Sequence, residues 1–422
     1  MSTYNEQKTD RNEQIYQLTT LVAGEFSLPE VLDKLAKAAV EIAGVKACSI
    51  RLLDEESGQL KMQSTYGLSK AYRNQPAVAK TDAVVSAAFA GEAVVVDDMR
   101  LDKRVKNKHA VQREGLVSQL TVAMQYKNTA IGVIRLYSPR PKRFEDQDIS
   151  LARAVASQCA VAITNAKLFA KAIQNAHITE QVRLAGLLQR RMIPDKAPSV
   201  EGLDIAATYI PCFEVGGDFY DFITINDGSI GAAIADVMGK GIPAAIMMSF
   251  FRATVRAYGQ GATGTAGMQQ LIRMLNKTAC AECRDGEFVT LFYAVIETKN
   301  NTMTYCNCGH EPAVLIRDGR LSDLDRGGLV LGVDRAAEYA IGSVRLKKDD
   351  CLLFYTDGLI DAPNFQGQMW GRKNLLKTAR MLSGDSADHI VKNILRYRRR
   401  FVGLAKQIDD TSIIAVKVTG PR

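Results

Sequence analysis

Four aspartates stand at the ends of apolar, strand-like runs and beside small or flexible residues. They are Asp218 in EVGGDFYDF, Asp236 in AIADVMGKGIPAA, Asp357 in LLFYTDGLIDA and Asp409 in QIDDTSIIAV. An ionised carboxylate at a strand end is costly unless it is solvated or neutralised, and hard oxygen donors of this kind suit Mg2+ or Mn2+. A pair of divalent ions would remove that cost. Gly217 and Gly358 leave room beside the acids for backbone or water. Gly239, Lys240 and Gly241, followed by Ile242-Pro243, read as a flexible turn entering a helix, which would turn backbone N–H groups toward a bound phosphate. Lys240 is a candidate to orient the same group. On the residues alone, the chemistry indicated is metal-assisted attack on a phosphoester.

The elements that must position these acids lie between about Val200 and the C-terminus. Strand-like runs occur at 203–210, 219–225, 229–237, 288–297, 302–308, 339–346, 351–356 and 412–418, with helical patterns at 242–258, 267–281, 372–382 and 387–401. Hairpin-like strands with helices grouped between them predict a layered α+β sandwich rather than a doubly wound sheet.

At 422 residues the chain is long enough for two or three domains of about 150 residues each. It is 47% hydrophobic with a net charge of +8, which excludes collagen-like and wholly disordered classes. The polar opening, Met1 to Asn12, does not read as a secretory signal, and no apolar stretch reaches the ~20 residues of a membrane span. Eight unevenly spaced cysteines do not suggest a disulfide framework. A soluble, cytoplasmic protein is expected. The cluster Arg396, Arg398, Arg399 and Arg400 reads as a solvated helical face, and no nucleic-acid binding is inferred from it.

Before this half, an apolar helical pattern at 29–43 stops at Gly44 and leads into strand-like runs at 47–53, 59–65, 93–96, 120–126 and 130–137. From Glu145 to Ile193 there is no proline and one glycine, Gly186, which predicts one long helix or two broken near that glycine. Leu151, Val155, Cys159, Ala162, Ala166, Phe169, Ile173 and Ala176 alternate steps of four and three, the spacing of a seam that faces a partner helix. A helix of ~45 residues would reach about 70 Å and could join two protomers in a homodimer.

The order of elements in the first third, closing in RFEDQDISLARAVASQCAVAITNA, resembles a GAF domain, a sensory fold that often encloses a small molecule or packs into a dimer, so a small molecule or protein is expected there. Its ligand is not named by the sequence. Cys48 sits in a strand-like run and reads as a core residue rather than a bilin attachment site, His109 reads as exposed and without a role, and the Asn-Lys-Phe-Asp-Glu cyclic-nucleotide signature is missing. In the second half, VGGDFYDF, ADVMGKGIPAA, CGHEPAVL, YTDGLIDA and DDTS together resemble the SpoIIE/RsbU-type branch of metal-dependent Ser/Thr protein phosphatases, in the protein phosphatase 2C-like superfamily. The combined expectation is a tail at 1–25, a GAF-like sensor at 26–145, a coiled-coil-like helical linker at 146–195 and an αββα phosphatase domain at 196–422.

The resemblance implies two Mn2+ or Mg2+ ions held by Asp218, Asp236, Asp357 and Asp409, with Asp236 bridging and the backbone carbonyl of Val237 contributing. Asp410 could share or replace the role of Asp409. It further implies hydrolysis of phosphoserine or phosphothreonine on a protein, a STAS-type anti-anti-sigma factor of bacterial partner-switching being the first candidate. Met238, Cys308 and Ser412 depart from the usual pattern, but none removes an acidic ligand. His310 is expected to hold a loop near the centre by hydrogen bonding, with proton transfer as the alternative role. Two rivals remain: a phosphatase-fold module that acts only by association, and a structural zinc site built from Cys280, Cys283, Cys306, Cys308 and His310.

Overall fold

The computed structural model describes residues 27–420, except 227 and 285, so the expected 1–25 tail lies outside the described residues. The chain divides into two compact units, the first ending at His177 and the second beginning at Ile178.

The first unit opens with α1 (Leu28–Ala43). The Ser27 N–H donates to the Glu30 carboxylate at 3.0 Å, which satisfies one of the free donors of the first turn, and Gly44 closes the helix in the left-handed conformation. There follow β1 (Ala47–Asp54), β2 (Gln59–Tyr66), α2 (Lys70–Arg73), β3 (Val78–Ala79), α3 (Ala83–Phe89), β4 (Val94–Val96), α4 (Lys108–Arg113), β5 (Ser118–Tyr126) and β6 (Thr129–Ser138). The strands form one antiparallel sheet in the order β3-β2-β1-β6-β5-β4. On one face, Ile50, Leu52, Val122, Met124, Ile134 and Leu136 pack against α1 and the beginning of α5 (Asp146–Met192). Cys48 lies in this layer, fully buried, which agrees with its reading as a core residue.

α5 is continuous. Val155, Cys159 and Ala162 of its expected seam are buried in the first unit, whereas Phe169 and Ile173 are half exposed. Gly186 does not break the helix. A Cβ there would strike the Glu214 carbonyl, so the glycine admits a close backbone approach within the second unit.

The second unit continues with β7 (Leu203–Ile210), β8 (Phe219–Asn226), β9 (Ser229–Val237), α6 (Ile242–Gly259), α7 (Gly264–Glu282), β10 (Val289–Glu297), β11 (Thr302–Cys308), β12 (Ala313–Arg317) and β13 (Arg320–Leu324). It ends with β14 (Gly327–Gly328), β15 (Gly342–Arg345), β16 (Cys351–Tyr355), α8 (Gly371–Leu382), α9 (Ala387–Val402) and β17 (Thr411–Val418). One sheet runs β14-β11-β10-β9-β8, with β15 on β11, and the other β13-β12-β16-β17-β7. Met248 and Phe251 of α6 and Leu271 and Leu275 of α7 cover the first sheet. Leu375 and Ala379 of α8 and Ile390 and Ile394 of α9 cover the second, completing four layers. The hairpin β12–β13 was not anticipated, although Asp318-Gly319 is an ordinary turn pair; both residues have positive φ. Only Gly342–Arg345 of the expected strand at 339–346 pairs with the sheet. Among the described residues no helix is long and apolar enough to cross a membrane.

The two sheets meet through aromatic packing. Phe292 of β10 stacks on Tyr305 at 5.5 Å and meets Phe354 of β16 at 5.3 Å between ring centroids. Phe292 is fully buried, so Phe292→Ala is expected to cost about 3–5 kcal/mol. The check is the denaturant midpoint of the full chain; a loss below about 1 kcal/mol would contradict this account of the sandwich core.

Candidate active site

Strand ends of both sheets bring the acids together. Asp218 immediately precedes β8, Asp236 lies near the end of β9 opposite Thr290, Asp357 follows β16, and Asp409 and Asp410 lead into β17. Asp218 is almost fully buried, and the charge of Asp236 acts on its carboxyl. Its Oδ2 is buried with no hydrogen-bond partner among the described residues.

Crowding of like charges away from water pushes these carboxyls upward. Burial, followed by the Asp236 charge, raises Asp218 well above the usual carboxylate range. Burial and the charge of Asp357 raise Asp236 to about 7, and burial and Asp409 raise Asp357. No side-chain cation neutralises the Asp218–Asp236 pair among the described residues. Beside it, Gly217 presents no side chain; a Cβ there would sit 2.7 Å from the Val237 carbonyl oxygen.

The adjacent Asp409 and Asp410 do different things. Asp410 is buried, and its Oδ1 accepts the Cys212 N–H at 2.7 Å while Oδ2 accepts those of Gly217 at 2.8 Å and Asp218 at 3.4 Å. It fixes the loop that delivers Asp218. The Asp409 side chain is 38% exposed and accepts from Lys240 Nζ at 2.8 Å, and Lys240 also donates to the Ile408 carbonyl at 2.6 Å. Gly239 and Gly241 both have positive φ, and Gly241 immediately precedes α6, as expected for the turn.

The donor chemistry fits a hard divalent cation: an orphaned buried carboxylate oxygen, uncompensated acids on converging strands, and a carbonyl lined by glycine. As the side chains stand, no group of three or more His, Cys, Asp or Glu among the described residues is arranged to hold an ion. The acids approach in pairs, and Asp409 is turned toward Lys240. The same finding covers the thiols. Cys306 and Cys308 are buried core residues with sulfurs 4.0 Å apart, and no zinc cage forms among Cys280, Cys283 and His310. His310 is buried; its Nδ1 lies 2.7 Å from Thr290 Oγ1, and its N–H donates to Asn307 Oδ1 at 2.7 Å. Burial lowers it to about 4, so it is neutral near pH 7. That is the loop-holding role expected for it.

Sequence reasoning missed several supports. Gln189 of α5 receives the Gly216 N–H at 3.0 Å and donates to the carbonyls of Gly216 at 2.8 Å and Ala245 at 3.4 Å, bracing the loop before Asp218. Arg398, taken with its neighbours as a solvated face, turns inward and donates to the Gly358 carbonyl at 3.1 Å beside Asp357. A Cβ on Gly358 would strike the Asp410 carbonyl, which explains the Asp-Gly pair by close approach rather than by a turn. Asp221, in the same motif as Asp218, is fully buried between Arg252 at 3.0 Å and Arg256 at 2.7 Å and ties β8 to α6.

Four-layer architecture and converging acids define a phosphatase 2C-type fold for the second unit. The SiaA-PP2C domain of Pseudomonas aeruginosa aligns with it at a TM-score of 0.50 and 18% identity, covering 58% of this chain and 98% of that domain. Residues 226–419 match the family described as stage II sporulation protein E (SpoIIE), and residues 26–164 match the GAF domain family. The chain thus carries a GAF domain and a SpoIIE-family domain, with α5 between their cores. The phosphoserine phosphatase RsbU of Bacillus subtilis (strain 168) is 32% identical over 221 residues, 51% of this chain and 64% of that protein. Phosphoserine phosphatase RsbP of the same organism is 28% identical over 183 residues, 43% of this chain and 45% of that protein. The chain therefore matches less than two thirds of the length of either relative.

The division of labour between the adjacent acids is measurable. Asp410→Ala strands three backbone N–H groups and is expected to cost about 3 kcal/mol. Asp409→Ala removes one exposed ion pair and the acceptor of a single N–H, that of Asp410 at 2.9 Å, and should cost no more than about 1–2 kcal/mol. Urea denaturation of both variants checks this, and equal losses would contradict it.

Proposed function

We propose that the protein is a signal-regulated protein phosphatase that hydrolyses phosphoserine or phosphothreonine on a partner protein. The observation that carries the reading is the buried, unneutralised Asp218–Asp236 pair at strand ends of a phosphatase 2C-type sandwich. Asp218, Asp236, Asp357 and Asp409, with the Val237 carbonyl, would hold two Mn2+ or Mg2+ ions. When bound, such ions neutralise phosphoryl charge and acidify water for attack at phosphorus.

The chain's own residues prepare that site. Asp410 and Gln189 hold the loop that presents Asp218. Neutral His310 holds Thr290, which faces Asp236 across the β9–β10 ladder. Lys240, at the glycine turn before α6, releases its hold on Asp409 and offers its ammonium to the phosphoryl oxygens, with the Gly239–Gly241 backbone beside it. The substrate proposed is a phosphorylated STAS-type protein, in keeping with the phosphoserine phosphatases among the relatives. The GAF domain is the place for a controlling small molecule or protein. The exposed Phe169 and Ile173 of α5 support pairing with a second copy of the chain.

The Lys240–Asp409 pair favours a second reading, in which the domain acts by association without turnover. One assay separates the two. Mn2+-dependent hydrolysis of a generic phosphoester is expected, with Asp236→Asn losing about a hundredfold or more of kcat/KM, because removing a ligand forfeits several kcal/mol of charge stabilisation. Undiminished turnover in Asp236→Asn would sink the metal mechanism, and no turnover in the unaltered chain at any Mn2+ concentration would favour association.

Regulation through α5 predicts a further effect. Gln189→Ala leaves the four acids in place but is expected to cost about 10–100-fold in metal affinity or turnover, as loss of a group that orients metal ligands commonly does. Unchanged Mn2+ titration and turnover would show that α5 does not brace the site.

A further inference from the structure

Side chains alternate between the two faces of the first unit's sheet. Ile50, Leu52, Val122, Met124, Ile134 and Leu136 make one face apolar. On the other face apolar Leu53, Ala123 and Val133 stand beside a polar group: Ser49 and Arg51 on β1, Gln119 and Thr121 on β5, and Arg135 and Tyr137 on β6. Arg135 stands between Ser49 and Thr121 in register, and Arg51, opposite Val133, is its diagonal neighbour. This polar face is nevertheless inside the domain; Arg51 is only 2% exposed.

The neutral members satisfy one another. Ser49 Oγ and Tyr137 Oη are 3.0 Å apart, and Gln119 Nε2 donates to Thr121 Oγ1 at 2.8 Å. The guanidiniums do not. Arg51 Nη1 donates to the carbonyls of Leu60 at 3.3 Å and Pro76 at 3.1 Å, which anchors the side chain without cancelling its charge. Arg51 Nε, Arg135 Nε and Gln75 Nε2 are all buried with no hydrogen-bond partner. Among the described residues neither arginine makes an ion pair with an acid, and the charge that acts most on Arg51 is that of Arg135; burial and this repulsion hold Arg51 below the usual arginine range. A buried cation and a half-buried one close together, each with a spare buried donor, are unfavourable unless something negative joins them. A carboxylate or phosphate suits guanidinium donors well, because two of its oxygens can accept two parallel N–H bonds.

We infer that this face binds a small oxyanion, a carboxylate or a phosphate group, between Arg51 and Arg135, with Gln75 as a further donor. Tyr72 and Tyr137, in edge contact at 5.9 Å, bound the position on one side. The GAF domain would then respond to an anionic metabolite or to inorganic phosphate, and the binding is independent of any activity of the SpoIIE-family domain.

Titration calorimetry of the full chain in metal-free buffer, with sodium phosphate and separately with succinate, tests this. Saturable binding of one anion per chain is expected for at least one probe, weakened tenfold or more in Arg51→Gln and Arg135→Met, with Arg135→Lys intermediate. Saturation by phosphate alone identifies a phosphate site, and by succinate alone a carboxylate site. Without added anion, Arg135→Met should melt above the unaltered chain, because repulsion with Arg51 is relieved; this readout also guards against a variant that merely misfolds. Flat titrations with both probes, or an affinity unchanged in Arg135→Met, would overturn the inference. So would a lower melting temperature of Arg135→Met with binding retained.

Discussion

The geometry of the second unit turns on one buried carboxylate whose two oxygens are taken up by backbone N–H groups. Asp410 reaches from the start of β17 in one sheet to three backbone N–H groups in the loop that enters β8 in the other. Without it, Asp218 would sit on a loop with no fixed relation to Asp236 and Asp357. Gly358 lets the chain after β16 lie directly against the Asp410 backbone, and Arg398 holds the same glycine from α9. Gln189 clamps the adjoining Gly216 of the same loop. The acids are thus presented on a braced frame, and their mutual repulsion is a cost this frame sustains.

The first unit stores charge of the opposite sign in a comparable way. In both places the fold holds like charges together out of water, acids between two sheets in one and guanidiniums on the hidden face of a sheet in the other. An element of complementary charge would stabilise either place. α5 is common to both units: Val155 and Cys159 belong to one core, and Gly186 and Gln189 meet the loop beside the other site.

Much of this was legible in the sequence. Gly44, the Asp-Gly and Gly-Gly pairs, and alternating apolar runs placed most strands and helices, because they report local backbone requirements. The four acids could be singled out because charge at a strand end is locally anomalous. What the sequence could not separate was Asp409 from Asp410, whose difference is made by backbone donors some 190 residues away in the chain. Arg51 and Arg135 escaped for a related reason. An arginine alternating with apolar residues reads as solvent-facing, and only α2, α3, α4 and the connecting segments, folded over the sheet, make that face interior. Arg398 was hidden in a basic run for the same cause, since helical position alone does not reveal which arginine turns inward.

The two neighbouring aspartates carry a final consequence. The Asp410 side chain holds three backbone N–H groups, while that of Asp409 is partly exposed and pairs with Lys240, so under the proposed assignment the ligand role and most of the structural support fall on neighbouring codons. A descendant gene could abandon Asp409, keep a well-folded domain, and be recruited as a docking platform. The reverse loss, at Asp410, would release the loop on which such a platform itself depends.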